Sequence, residues 1–187
     1  HAVTLAGETL VLRPFRLQDA NDIYEAVRQS LTELGKWLSW CHAGYALDDT
    51  LEFLRARPEA FRRDGEYSFA IVSRTSGEFL GATGINQIDP ASRRANLGYW
   101  LRTSATGRGI ATQATRMLAL WAFEALELQR IEIVAAVGNL ASQRVAERSG
   151  ATREGIARNR LRVHGVPHDA VLYSLVPADF IGAKPQA

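Results

Sequence analysis

Between residues 95 and 137 the chain runs ANLGYWLR, then the glycine-bearing turn TGRG, then TQATRMLALWAFEALE, then RIEIVAAV. The first and last segments carry strand-like apolar patterning, and the middle one is apolar almost throughout from Met117 to Phe123. A strand, a tight turn, a helix and a second strand in this order require a mixed α/β domain.

The flanking segments extend the pattern. TLVLRPFRL (9–17) alternates apolar and polar residues and predicts a strand, with Pro14 marking an edge or bulge. LQDANDIYEAVRQSLTELGKWL (17–38) predicts a first helix, in which Asp19 is a candidate N-cap and Ile23, Val27 and Leu31 recur at helical spacing. ALDDTLEFLRARPEAFRR (46–63) predicts a second helix disturbed near Pro58. YSFAIVSR (67–74) and EFLGATGINQI (78–88), joined by TSG, predict a hairpin. After RIEIVAAV come a short helix, NLASQRVAERSG (139–150), and a final strand, HDAVLYSLV (168–176). No repeat or Pro/Gly-rich linker divides the chain. Residues 1–187 read as one domain, with GAKPQA (182–187) as a loose tail.

Composition excludes several classes. With 187 residues, 47% of them hydrophobic and 22% charged, the chain can bury a proper core and is not a disordered one. A formal net charge of +2 does not describe a protein built to coat nucleic acid, and no direct contact with nucleic acid is expected. Runs such as MLALWAF fall far short of the ~20 residues that span a bilayer. The N-terminus lacks a signal-peptide pattern, so a cytoplasmic protein without membrane association is expected. Cys41 is the only cysteine, which rules out an internal disulfide and a cysteine-rich metal site.

The turn before the long helix raises the question of chemistry. The first turn of a helix presents unpaired N–H groups and the positive end of the macrodipole, and glycines let an anion approach the backbone. TGRG lacks the Gly-Lys-Ser/Thr of a P-loop, and Thr112 stands where a dinucleotide fingerprint needs its third glycine. On the residues alone, a phosphate cradle and a plain turn both remain open.

The order of the segments resembles the GNAT acyltransferase superfamily. Thr106-Gly107-Arg108-Gly109-Ile110-Ala111 is similar to its pyrophosphate motif Q/R-x-x-G-x-G/A at the glycine and alanine positions, with Thr106 in place of Gln or Arg. NLASQRVAERSGATREG resembles the second coenzyme A segment. HGVPHDAVLYSLV and the segment WLSW, Trp37 to Trp40, resemble the closing strand and acceptor loop of the ribosomal-protein N-acetyltransferase (RimJ/RimL-like) branch. The fold this implies is a single-domain α/β GNAT fold: a mixed, mostly antiparallel sheet, splayed between the fourth and fifth strands and flanked by helices.

The reaction it implies is direct attack of an amine on the thioester of acetyl-CoA, with no metal. Backbone amides of Arg108, Gly109, Ile110, Ala111 and Thr112, with Gly107, would hold the pyrophosphate. The strand from Gly98 to Leu101 would line the pantetheine arm and donate to the thioester carbonyl oxygen, with Trp100, Leu101 and Arg102 as its coenzyme-binding residues. Asn139 would hydrogen-bond that arm, Ser142 would face the sulfur as proton donor, and Arg144 would reach a remote phosphate. Trp37, Trp40, His42 and Asn86 would belong to the acceptor side. Capping explains Asn139 and Ser142 equally well, and a solvated helix face explains Arg144.

A general base is missing from this set. The carboxylate that many members carry on the fourth strand falls at Asn96, and one used in the ribosomal branch falls at Leu161. An α-amino group, with a pKa of about 7.7 to 8.0, is roughly a quarter neutral at a cytoplasmic pH of about 7.4, whereas a lysine near 10.4 is neutral about one part in a thousand. The gap therefore favours an N-terminal α-amine as acceptor, with a water chain or His42 taking the proton.

Other groups have ordinary readings. His164 and His168 are spaced as metal ligands can be, but Gly165 and Pro167 deny a helix, and HGVP suits a turn tethered by Asp169. Arg158, Arg160 and Arg162 alternate, so in an extended segment they share one face, either solvated or turned to an acidic tail or rRNA. Trp37, Leu38 and Trp40 belong to the core, an acceptor wall or a homodimer contact. The expected activity is acetylation of a protein N-terminus, that of a ribosomal protein by resemblance. A small amine such as a polyamine or antibiotic, and a non-catalytic acyl-CoA-binding module, are the alternatives.

Overall fold

A computed structural model describes residues 3–63 and 65–181. The tail expected at 182–187 lies outside the described residues. Among the described residues, eight strands form one sheet in the order β1-β2-β3-β4-β5-β6-β8-β7. In chain order they are β1 (Leu5–Ala6), β2 (Leu10–Pro14), β3 (Glu66–Ser73), β4 (Phe79–Asp89), β5 (Arg94–Leu101), β6 (Arg130–Ala136), β7 (Thr152–Val163) and β8 (Val166–Leu175). The helices are α1 (Ala20–Gln29), α2 (Leu31–Leu34), α3 (Leu47–Arg62), α4 (Ile110–Ala125) and α5 (Leu140–Arg148). All neighbouring strands pair antiparallel except β5 and β6. These two are joined through α4, the crossover a parallel pair needs.

Two cores sandwich the first half of the sheet. On one face α4 buries Ala114, Leu118, Ala119 and Ala122, all at 0% exposure, against Phe69, Ile85, Leu97, Ile131 and Tyr173. The small residues of α4 let the helix lie close on the strands, while Gln113, Arg116 and Glu124 stay off that packed face. On the other face α1 and α3 bring Ile23, Val27 and Leu54 against Ala70, Val72 and Phe79.

The elements depart from expectation in three places. The first helix breaks into a 3-10 turn (Leu17–Asp19), α1 and α2. Asp19 does not cap α1 through its side chain; it is 4% exposed, forms a two-pronged pair with Arg13 at 2.8 Å for each contact, and accepts the N–H of Arg16 at 2.8 Å. A buried carboxylate needs such partners. Helix α3 runs through Pro58 uninterrupted, with Pro58 itself on the exposed side of the helix.

The third difference is β7, where no strand was expected. It is an exposed edge strand rich in arginine. The turn expected at HGVP does form: His164 (φ 47°) and Gly165 (φ 81°) close the β7–β8 hairpin. Asp169 is the expected tether, accepting the N–H of Asn159 at 2.8 Å. Asn159 has φ 51°, and the register shifts between Ala157 and Leu161. That bulge interrupts the alternation on which a single stripe of Arg158, Arg160 and Arg162 depends.

Candidate active site

The sheet opens in one place. Parallel pairing of β5 with β6 is confined to Arg94–Arg130, Ala95–Ile131 and Asn96–Glu132. Beyond that row β5 stays with β4 as far as Leu101, while β6 stays with β8 as far as Ala136. The two strands part, leaving a wedge with backbone hydrogen-bonding groups along its sides. With the two-residue β1 set aside, this is the splay expected between the fourth and fifth strands.

A groove of about 710 Å³ occupies the wedge and continues to the start of α4. Its end is the turn TGRG. Gly107 (φ 75°) and Gly109 (φ 76°) both adopt the left-handed conformation, and a Cβ on either would meet nothing within 4 Å. The first backbone bond of α4 runs from the N–H of Gln113 to the carbonyl of Gly109 at 3.0 Å. The N–H groups of Ile110, Ala111 and Thr112 precede it and lack an intrahelical acceptor. Open space beside unpaired amides at the positive end of a 16-residue helix is an anion site in form. Thr106 is exposed beside the groove, its hydroxyl donating to the carbonyl of Thr103 at 2.8 Å.

Opposite the turn, α5 contributes Asn139, Ser142, Arg144 and Arg148 to the groove. The expected cap is present: Oδ1 of Asn139 accepts the N–H of Ser142 at 3.1 Å. The Asn139 amide N–H groups are not consumed by that bond. From β5 comes Tyr99, whose hydroxyl donates to the carbonyl of Ser142 at 2.9 Å and lies 3.0 Å from its Oγ. Burial pushes the Tyr99 phenol up to about 12.

Most expected site residues thus come together. Trp37, Trp100, Leu101, Gly107, Gly109, Ile110, Ala111, Thr112, Asn139, Ser142 and Arg144 all line the groove. The ring edge of Trp37 lies 3.0 Å from where a Cβ on Gly138 would sit. Arg102 is turned away, donating to Glu78 at 2.9 Å and Gln29 at 2.6 Å, and Arg108 is exposed outside the groove.

Trp40 and His42 sit on the α1–α3 side, in a cluster where Trp40 is 5.6 Å from Trp100 and His42 is 6.2 Å from Tyr45, centroid to centroid. The ring of His164 meets the carbonyl of Gly35 at 2.7 Å, docking the β7–β8 hairpin beside α2. Tyr99, Lys36 and Arg148 line the groove without having been singled out from the sequence. Arg148 follows Arg144 by one helical turn, a spacing that would have found it.

Asn86 and Asn96 stand opposite each other on β4 and β5, two register positions along the same face from the Gly84–Gly98 pair. Their row continues to Glu66 on β3 and Glu132 on β6. Each glutamate is answered by an arginine: Arg57 reaches Glu66 at 2.5 Å, and Arg130 reaches Glu132 at 2.9 Å.

Comparisons with known proteins agree with this geometry. A family model described as an acetyltransferase (GNAT) domain matches residues 9–152. YdaF of Bacillus subtilis (strain 168), whose name places it provisionally among ribosomal N-acetyltransferases, is 35% identical over 179 residues, covering 95% of this chain and 97% of YdaF. The ribosomal-protein-serine acetyltransferase of Escherichia coli (strain K12) is 27% identical over 170 residues, covering 91% and 94%. Among solved structures, the microcin C7 self-immunity acetyltransferase MccE, in complex with acetyl-CoA and AMP, superposes with a TM-score of 0.84 at 26% identity, covering 91% and 93%.

Proposed function

Because the chain belongs to the acetyltransferase (GNAT) family, it is an enzyme that transfers an acetyl group from acetyl-CoA to an amine, and we propose that this amine is the N-terminal α-amine of a protein. The observation that carries the proposal is the neutral Asn86–Asn96 pair on the acceptor face, flanked by two glutamates already held by arginines. Such a row offers no free carboxylate to strip a proton from a lysine ammonium, whereas an α-amine at about 7.7 to 8.0 arrives partly neutral. The names of YdaF and the E. coli relative support a ribosomal protein as its owner.

In this reading the amides of Ile110, Ala111 and Thr112, with the glycine turn, hold the diphosphate, and Arg144, Arg148 and Lys36 add positive charge around the coenzyme. The β5 backbone from Gly98 to Leu101 aligns the pantetheine arm and polarises the thioester carbonyl. The Asn139 side-chain amide donates to the arm while its oxygen keeps the helix cap. Nitrogen attacks the carbonyl carbon, the C–S bond breaks, and the sulfur takes the electron pair beside the Ser142 hydroxyl. With His42 in the aromatic cluster outside the groove, the amine's proton leaves through water.

The test is incubation with acetyl-CoA and a cytoplasmic extract depleted of N-terminal acetylation, followed by mass spectrometry of the proteins and small amines. New acetyl groups concentrated on one protein's N-terminus are expected. Acetylation confined to lysine side chains or to small amines overturns the α-amine assignment.

A further inference from the structure

We infer that Tyr99 is a positioning residue for the departing thiolate, its phenol holding the Ser142 hydroxyl at the groove and polarising it toward the sulfur. The inference rests on the role proposed above for Ser142.

The geometry is specific. Tyr99 leaves β5 on the α4 face, with its ring packed against the main core, and its hydroxyl reaches the first turn of α5. Both Tyr99 and Ser142 line the groove at the wedge. A serine on a helix ordinarily folds its hydroxyl back onto a carbonyl one turn earlier. Ser149, at the other end of the same helix, does this: it is 0% exposed and donates to the carbonyl of Val145 at 2.8 Å. Ser142, in the first turn of α5, instead has the Tyr99 oxygen as the partner of its hydroxyl, at 3.0 Å.

Proton bookkeeping defines what this pair can do. The phenol has one hydrogen, given to the Ser142 carbonyl at 2.9 Å, so the Ser142 hydrogen points to the Tyr99 oxygen when no charge is near. As the C–S bond breaks and the electron pair moves to sulfur, the Ser142 hydrogen turns to the sulfur. The Tyr99 hydrogen then turns from the carbonyl to Ser142 Oγ. Two hydroxyls in series polarise each other, so the serine becomes a stronger donor than it would be alone. No proton is lost from either group. A phenol pushed up to about 12 keeps its hydrogen against a thiolate whose thiol form has a pKa of about 8.5. The thiolate is protonated from water, which carries the proton the amine gave up, and the reaction balances.

A double-mutant cycle of Tyr99→Phe and Ser142→Ala tests this, since phenylalanine keeps the packed ring and loses only the hydroxyl. Acetyl transfer is measured to a short peptide with a free N-terminal serine and, in parallel, to spermidine, with hydrolysis of acetyl-CoA as a third reading of the same C–S cleavage. Tyr99→Phe is expected to lower kcat about tenfold, the worth of one ordinary hydrogen bond, with the KM for acetyl-CoA and the melting temperature nearly unchanged. In the Ser142→Ala background the same change is expected to alter kcat less than about twofold, because the partner it acts through is gone.

Equal losses in both backgrounds, or a Tyr99→Phe enzyme with unchanged kcat, overturn the inference while leaving Ser142 its role. A Ser142→Ala enzyme with unchanged kcat overturns the serine assignment itself. A peptide left unmodified while spermidine is acetylated overturns only the α-amine reading, and the cycle is then read on spermidine.

Discussion

Asn96 donates through Nδ2 to Oδ1 of Asn86 at 2.9 Å, across two strands where the residues are direct register partners. The bond fixes two neutral amides where a carboxylate would serve as a base. Asn96→Asp introduces a charge next to the Asn86 side chain, whose amide can turn to donate to it. The ratio of kcat/KM for a lysine side chain to that for an N-terminal α-amine is expected to rise about tenfold. That is less than the ~100-fold a fully positioned base provides, because the row lies one register step from the wedge. Competition between two peptides differing only in which amine is free measures the ratio, and an unchanged value refutes the link between this pair and acceptor choice.

Trp37, which lines the groove, has the edge of its ring against Gly138. A Cβ on Gly138 would sit 3.0 Å from Trp37 Cη2, so Gly138→Ala must move the indole by a few tenths of an ångström. The fold should tolerate this within about 1 kcal/mol, since losing a glycine also restricts the unfolded chain. The KM for acetyl-CoA, however, should rise several-fold as the Trp37 ring that lines the groove is displaced. Adding Trp37→Leu removes the obstruction, and recovery of KM in the double variant is the signature of steric coupling. A double variant no better than Gly138→Ala would place the effect elsewhere.

At Gly109 the cost has a different origin. Its φ of 76° is one that residues with a Cβ avoid, so Gly109→Ala should cost about 1–2 kcal/mol of stability. The same methyl would project into open space beside the amides of Ile110, Ala111 and Thr112. Affinity for coenzyme A should therefore fall at least about tenfold, some 1.4 kcal/mol, measured by calorimetry at a temperature where the variant stays folded. Undiminished affinity in a folded variant would remove the diphosphate from this turn.

These contacts differ in how far the sequence exposes them. The sheet from β3 to β6 and the helix α4 are legible because apolar residues repeat with the period of their element, and Asn139 is legible because a cap is a local matter. Strand β7 is hidden: it is an edge with polar residues in most positions, and Gly155 and Asn159 interrupt its register. Tyr99 reads as one more aromatic of a strand. Its contact with Ser142 spans 43 residues and exists only because α5 returns beside the splayed end of β5. The Asn86–Asn96 pair likewise follows from register, which no local pattern states. The predicted disturbance at Pro58 failed for the opposite reason, an exposed position making a local rule inexpensive to break.

The three strands beyond the wedge carry their own electrostatic fastening. Glu154 on β7 accepts two bonds at 2.6 Å from Arg130 on β6 and a third, also 2.6 Å, from the hydroxyl of Ser174 on β8. The arginine above all, and then the serine, lower its carboxyl from 4.5 to about 2. A carboxylate with a depressed folded pKa contributes stability that is fully present above its unfolded value and is lost as pH falls toward its folded one. The window is therefore pH 4.5 down to about 2. Glu154→Gln keeps the shape without the charge, so wild type should exceed it in denaturant midpoint at pH 7, and the gap should shrink below pH 4.5. With the Glu154 side chain 34% exposed, solvent screens the pair, and high salt at pH 7 should narrow the same gap. Denaturation at pH 7, 5 and 3, with and without salt, checks both. A difference that holds constant across that range would mean the fastening is one of shape and not of charge.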